Sequence, residues 1–464
     1  MKILLIAYDN DSFLHWFPLG LGYVAAALRE AGHDVTVYQQ DAGHLPEGHI
    51  TAYLDEHRFD LVGMGVSGGY YQYRKLLKIS EAVNKSKNRP VYVIGGHGPS
   101  PEPQYFLKKT EADAVVTGEG EKTIVELCKA IENDSPWKDV KGIAYIDKES
   151  GKFIQTPSRP LIKDLDSIPY PAWDLFNMEY YSLFRFPNIK HNQKGLPIIT
   201  GRGCPYKCNF CYRMDKGFRP RTAKSIIDEI KTLKDRYNVT YISFCDDLFM
   251  CSEARTTELC EDFLRAGLGI NWYCNGRLNF ATKKVLELMK KAGCVFVNYG
   301  IEAMDDRILK NMNKALTTEQ VIKGIENTLE VGISPGLNII FGNIGEDKET
   351  LEKGVEFLLK YDDGSQIRTI RPVTPYPGSP LYYHAITKGL LKDCEDFYEH
   401  KHVNSDLLSV NFTDMEDDEF HRCLLEANVR LLENYFGKKL SESIRQSKAL
   451  YLEKDAAFRG FRHA

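Results

Sequence analysis

Strand and helix signals alternate along this chain in two long runs, and no other feature narrows its fold so far. The first run holds the apolar segments "KILLIAY" (2–8), "DVTVYQQ" (34–40), "DLVGMGVS" (60–67), "PVYVIGGHG" (90–98) and "ADAVVTGEGE" (112–121). Amphipathic stretches at 20–33, 73–87 and 122–132 separate them. The second run has "LPIITGRG" (196–203), "YISFCDD" (241–247), "NWYCNGR" (271–277), "VFVNYGIE" (295–302), "GLNIIFGN" (336–343) and "IRTIRPVTP" (367–375). Short apolar strands joined through helices predict parallel sheets. The first run reads as a doubly wound, Rossmann-like domain over 1–140. The second reads as a partial (βα)6, TIM-like barrel over 194–390. Residues 141–193 are less regular and read as a linker, and the charged tail 391–464 reads as a small helical region.

Ligands bind at the carboxyl ends of parallel strands. In the first run those ends are Asp9–Trp16, Ser67–Tyr71, Gly95–Ser100 and Gly118–Glu121. They are rich in glycine, yet neither G-x-G-x-x-G nor a P-loop is present, which argues against a dinucleotide or nucleoside triphosphate. In the second run every distinctive polar group falls at the same rim: three cysteines, Asp246, Asp247, Arg277, Glu302 and Asn343. Tyr273 and Tyr299 face either a substrate or the outer helices.

The formal net charge is -4, and lysine and arginine are dispersed. No basic, aromatic-interleaved surface for nucleic acid is therefore expected. The apolar start is about five residues long and meets acids at once, which is too short for a signal peptide. No stretch approaches the roughly 20 apolar residues of a membrane span. These features predict a cytoplasmic protein. The 11 cysteines are odd in number and mostly scattered, so reduced thiols rather than a disulfide framework are expected.

Three of them, Cys204, Cys208 and Cys211, form C-x-x-x-C-x-x-C in "GRGCPYKCNFCYR" (201–213). A structural zinc closes its shell with four protein ligands, and no fourth is apparent here. Three thiolates on one loop suit an iron–sulfur cluster with one iron left open.

That triplet, with Phe210 before the last cysteine and a strand before the first, resembles the radical S-adenosylmethionine superfamily. The resemblance implies a 4Fe-4S cluster held by Cys204, Cys208 and Cys211. It also implies S-adenosylmethionine on the open iron, cleaved reductively to a 5′-deoxyadenosyl radical. Other segments are similar to family motifs: "FCDDLF" (244–249), "GIEAMDDRILKNMNK" (300–314), "NIIFGNIGEDKET" (338–350) and "PYPGSPLY" (375–382). By that likeness S-adenosylmethionine is contacted by Phe210, Asp246, Arg277, Glu302 and Asn338. Arg277 faces the methionine carboxylate and Glu302 the ribose.

The preceding doubly wound domain resembles the cobalamin-binding branch of that superfamily, through "PLGLGYVAAALREAGHDVTVY" (18–38), "VIGGHGPSPEP" (93–103) and "ADAVVTGEGEKTIVEL" (112–127). The resemblance implies cobalamin bound by Ser67, Gly68, Gly95, Gly96, His97, Gly98, Gly118, Glu119, Gly120 and Glu121. Glu119 and Glu121 would accept hydrogen bonds from its nucleotide tail. D-x-H-x-x-G is missing, since Phe13 and His15 break the pattern, so no histidine is assigned to cobalt. His15 and His97 read as ordinary loop histidines. Tyr70, Tyr71 or Trp16 would shield the lower face.

The family implies a radical enzyme that C-methylates an unactivated carbon through methylcobalamin. Radical cyclisation, ring contraction or oxidative rearrangement is the second reading, and a non-enzymatic cobalamin or metal carrier the third. The substrate is a small molecule or peptide, and an external electron donor such as flavodoxin or ferredoxin is required.

Overall fold

A computed structural model describes residues 1–214 and 216–453. The first sheet has seven strands in the order β2-β1-β3-β4-β5-β6-β7. Its parallel core is β1 (Lys2–Ala7), β2 (Asp34–Gln39), β3 (Leu61–Gly65), β4 (Val91–Gly95) and β5 (Ala114–Val116). Helices cover both faces, and β1, β3 and β5 are accordingly apolar on both sides, with Ile3, Leu4, Val62 and Val115 wholly buried. The order 2-1-3-4-5 places the switch point between β1 and β3.

β6 (Ile143–Ile146) and β7 (Phe153–Gln155) add an antiparallel hairpin to the β5 edge. The expected linker over 141–193 therefore begins inside the first sheet. Only its later part, from Pro157 to Lys194, runs between the domains, and it is tightly packed there. Phe17 meets Trp173, Phe176 and Tyr181 at ring distances of 4.5–5.2 Å.

The second sheet is an open half-barrel in the order β15-β14-β13-β12-β11-β8. Its strands are β8 (Gly195–Ile198), β11 (Tyr241–Phe244), β12 (Asn271–Gly276), β13 (Cys294–Glu302), β14 (Ser334–Phe341) and β15 (Arg371–Pro372), all parallel. A two-stranded ribbon, β9 (Gly201–Arg202) with β10 (Arg219–Pro220), stands beside the first strand. Helix ends are sharply set. The helix Thr318–Val331 starts on a Thr317–Gln320 capping box and ends at Gly332 with φ +77°.

The C-terminal region is not one unit. Leu391, Cys394, Phe397, Tyr398 and Val410 pack into the core of the first domain. The long helix Asp417–Tyr451 then docks on the barrel, where Phe420 stacks on Phe341 at 4.9 Å. The tail thus straps the two domains together, and residues 454–464 of the expected helical region lie outside the described residues.

Candidate active site

The three-cysteine loop is anchored at both ends. At its base, β9 pairs with β10, and Asp246 at the end of β11 takes the Thr200 amide (2.9 and 3.1 Å) and hydroxyl (2.9 Å). At its tip, the Asn209 and Asn343 side chains exchange hydrogen bonds of 2.9 and 3.0 Å. The Asn209 amide donates to the Met312 carbonyl (2.9 Å), and its carbonyl accepts from Leu381 (2.8 Å). The loop therefore spans the barrel mouth from β8 to β14. Among the described residues no His, Cys, Asp and Glu side chains gather tightly enough to hold a single metal ion.

Charge is arranged around the thiols. Lys314 pairs with Glu302 at 2.7 Å, both nearly buried, and its ammonium lies 5.8 Å from the Phe210 ring centre. The Arg277 guanidinium stacks 3.5 Å from the Tyr206 ring and donates to the carbonyls of Ala315 (2.6 Å) and Lys314. Its buried Nε has no hydrogen-bond partner among the described residues. The hydrogen bond between the Cys208 and Cys211 thiols favours an ionised sulfur at Cys208; burial opposes this, and Lys314 and Arg277 assist it. Burial pushes the Cys204 thiol upward, and the bond to Cys208, with burial, does the same for Cys211.

Glu302 owes its position to a break in β13. The β13–β14 register shifts between Gly300 and Glu302, and Glu302 has φ +72°, an uncommon and costly backbone for a residue with a side chain. A Cβ on Gly300 would meet the Glu302 carboxylate at 2.3 Å, so a side chain there would displace that carboxylate from its place.

Below the mouth, strand alternation sends Asn275, Asn298 and Asn338 into the barrel interior as an amide ladder. Asn338 donates to Asn298 (2.7 Å) and Asn298 to Asn275 (3.1 Å). Tyr273 also faces inward, in an aromatic floor with Phe186, Tyr241 and Phe296. Tyr299 faces the helices, where its hydroxyl meets Thr328 at 3.0 Å.

The first domain turns its strand ends toward this mouth. His97 sits 6.2 Å from the Tyr212 ring, and the Ser100 hydroxyl meets the Met214 sulfur at 3.8 Å. Between the domains lies an uncovered shelf. Gly65, Ser67 and His97 are exposed although they end central strands, and nothing lies within 4 Å of a Cβ built on Gly65 or Gly118. Gly96, at φ +98°, must be glycine, because a Cβ would sit 2.6 Å from the Val66 carbonyl. Tyr398, from a π-helical turn at Asp396–Lys401, donates to the Gly68 carbonyl at 3.2 Å and closes one side of the shelf.

The radical SAM superfamily model matches residues 198–358, and the B12 binding domain model matches residues 9–128. An uncharacterized methyltransferase of Pyrococcus horikoshii is 32% identical over 406 residues, 84% of each chain. The anaerobic magnesium-protoporphyrin IX monomethyl ester cyclase of Rubrivivax gelatinosus is 30% identical, covering 82% of this chain and 69% of its own. The chain belongs to the cobalamin-binding branch of the radical S-adenosylmethionine superfamily. Two solved structures share the fold. The radical S-adenosylmethionine methyltransferase TsrM of Kitasatospora setae, with cobalamin and a [4Fe-4S] cluster bound, superposes with TM-score 0.73 at 18% identity, over 93% of this chain and 89% of its own. The cobalamin-dependent S-adenosylmethionine radical enzyme OxsB superposes with TM-score 0.65 at 21% identity, over 84% of this chain. This chain spans 55% of the OxsB chain.

As a member of this branch the protein is an enzyme that uses a 4Fe-4S cluster, S-adenosylmethionine and cobalamin. Its own residues fit those groups. Three thiols on one pinned loop match a cluster that spreads its ligands over several irons. The unpartnered Arg277 Nε and the adjacent buried Lys314–Glu302 pair match a zwitterionic cofactor. The bare glycine shelf matches a flat ring.

Three of the expected contact residues already have partners within the chain. Glu119 takes Arg202 (2.7 Å), Arg219 (2.9 and 3.0 Å) and the Ile162 amide (2.7 Å), and Glu121 takes Arg202 (2.5 Å). They are the acidic half of a buried clamp between the domains. The Asp246 carboxylate is likewise filled by Thr200, and burial pushes it up to about 6. Those bonds hold the start of the cysteine loop. Sequence alone does not single out Tyr206 and Lys314, because their partners Arg277 and Glu302 lie on other strands.

Proposed function

We propose that this enzyme methylates an unactivated carbon of a small molecule or peptide seated in the barrel interior. One arrangement carries the reading: the cobalamin shelf and the three-thiol loop face each other across a single gap, through His97–Tyr212 and Ser100–Met214. When bound, the cluster with S-adenosylmethionine supplies a hydrogen-abstracting 5′-deoxyadenosyl radical, and cobalamin supplies a methyl group. The chain positions these partners. Cys204, Cys208 and Cys211 hold the cluster at the mouth. Arg277, pressed on Tyr206, and the Glu302–Lys314 pair orient S-adenosylmethionine beside Phe210. Asn338 and the amide ladder lie directly below, and Asn275, Asn298 and Tyr273 present hydrogen-bonding groups to a substrate. Ser67, Gly68, Gly95–Gly98, Gly118 and Gly120 line the cobalamin side. The aromatic floor around Tyr273 and Phe296 excludes water from beneath.

Methyltransferase names recur among relatives, including the cytidylyl-2-hydroxyethylphosphonate methyltransferase of Streptomyces wedmorensis, 26% identical over 86% of this chain. The cyclase likeness supports a second reading, radical cyclisation without methyl transfer. Flavodoxin or ferredoxin serves as the one-electron donor. No helix among the described residues is long and apolar enough to cross a membrane, and the eight cysteines outside the triplet are unpaired; we place the enzyme in the cytoplasm, where thiols stay reduced. The test is anaerobic reconstitution with iron, sulfide and cobalamin, then incubation with S-adenosylmethionine carrying a labelled methyl group. Label appearing on cobalamin, together with 5′-deoxyadenosine under reductant, is the expected result. Cleavage to 5′-deoxyadenosine with no label ever reaching cobalamin would select the second reading.

A further inference from the structure

The six strands of the half-barrel carry two charged residues, Glu302 and Arg371. Glu302 is nearly buried and closed by Lys314. Arg371 is a different case. Ile340 pairs with Arg371, and Phe341 with Pro372. Phe341 stacks on Phe420 of the outer helix, so Ile340 and Arg371 share the opposite, inward face. Asn338 lies two residues earlier on that face. The other polar groups there, Ser243, Tyr273, Asn275, Asn298 and Asn338, are neutral. Among the described residues Arg371 is thus the one cation that these strands present to their own cavity. It stands on the edge strand, where the half-barrel is open.

Its surroundings lie on both sides of the gap between the domains. On one side Ile340 packs with Phe210 against Ala303, Ile308 and Met312, at the mouth. On the other, Arg371 and Asp406 are within electrostatic reach of the Tyr376 hydroxyl, and the Tyr376 ring comes 3.5 Å from a Cβ built on Gly68, on the cobalamin shelf. Asp406 meets only the Nε of Arg371, at 3.1 Å, and the two side chains are 65% and 60% exposed. So exposed a pair is weak. It steers the guanidinium without filling it, and Nη1 and Nη2 have no partner among the described residues. Two free N–H donors in a fixed fork match the oxygens of a carboxylate or a phosphate. We propose that Arg371 anchors an oxyanion of the substrate, so that the enzyme acts on a small organic acid or a phosphate ester. The inference rests on the reading that seats a substrate between S-adenosylmethionine and cobalamin.

The holoenzyme in the cob(II)alamin state tests this, because an unpaired electron on cobalt speeds the nuclear relaxation of a small anion held nearby. The probes are inorganic phosphate, followed by its phosphorus resonance, and acetate labelled with carbon-13. The same enzyme with diamagnetic aquacobalamin is the blank. The wild type is expected to relax at least one probe faster than the blank, and the larger response identifies the substrate's group. Arg371→Gln is expected to weaken that probe's binding about tenfold, through loss of a charge-assisted fork. Arg371→Lys keeps the charge but not the fork, and is expected to fall between the two. No response in the wild type overturns the inference, as does a response that Arg371→Gln leaves unchanged. A response abolished by saturating S-adenosylmethionine would assign Arg371 to the methionine carboxylate. Release of cobalamin by Arg371→Gln would assign it to the phosphate of the nucleotide tail. Either result refutes a substrate anchor. Methyl label that never reaches cobalamin in the wild type would instead sink the methyltransferase reading and leave the anion site standing.

Discussion

Replacing Glu119 by glutamine separates two roles for one residue, nucleotide contact and domain clamp. Its side chain is 4% exposed, and those of Arg202 and Arg219 are 14% and 13% exposed. Burial alone would raise the carboxyl pKa, but the Ile162 amide and the arginines together hold it below its usual value. Glutamine keeps an oxygen for the Ile162 amide and keeps the volume. What it removes is a charge facing two largely buried guanidiniums, with Glu121 still facing Arg202. Removing one partner of a buried ion pair costs about 3–5 kcal/mol. Because glutamine preserves one acceptor, we expect the lower end, about 3 kcal/mol. Urea denaturation of the reconstituted protein should show a lower midpoint. Limited proteolysis should show faster cutting between residues 155 and 195, where the chain passes between the domains. Cobalamin retention, read from its visible spectrum, should change by less than twofold. An unchanged midpoint with a tenfold or greater loss of cobalamin would refute the clamp and restore the nucleotide contact.

Alanine at Cys204, Cys208 or Cys211 should each abolish the cluster's charge-transfer absorbance after anaerobic reconstitution, while Cys260→Ala, a buried core thiol, should leave it intact. Gly96→Ala should destabilise the first domain by about 1–3 kcal/mol through its forced φ and the Val66 carbonyl, and it should release cobalamin on gel filtration. Burial lifts the Glu346 carboxyl from 4.5 to about 8. The folded state therefore holds more protons in that window, and stability falls as pH rises through it. Glu346→Gln should flatten that slope in pH-dependent melting curves. His402 is the opposite case: burial among Phe397, Tyr376 and Tyr70 lowers it from 6.5 to about 4. Its contribution is present above 6.5 and is lost as pH falls toward 4, so His402→Phe should blunt the acid limb of the same curves.

Much of this protein is written locally. Apolar strand runs such as "KILLIAY", and the period of the helices between them, dictated two parallel sheets, because period and burial are properties of neighbouring residues. The cysteine triplet is equally local: three ligands on one loop declare their chemistry before any strand is placed. Glycine at 96 belongs with these, since the backbone it permits is set within one turn. Long-range partnership decided the rest. The acids of "TGEGE" read as ligands in isolation, yet Arg202 and Arg219 from a distant ribbon fill them. The hairpin at 143–155 joined the first sheet because β5 offered an unpaired edge. Lys314, Tyr206 and the asparagine ladder became a site only when separate strands brought them within hydrogen-bond range. Whether Tyr273 or Tyr299 entered the barrel turned on which side of the sheet the helices covered. A side chain's type and spacing follow from covalent order, but what it finally pairs with follows from how the sheets close, and only the folded chain fixes that.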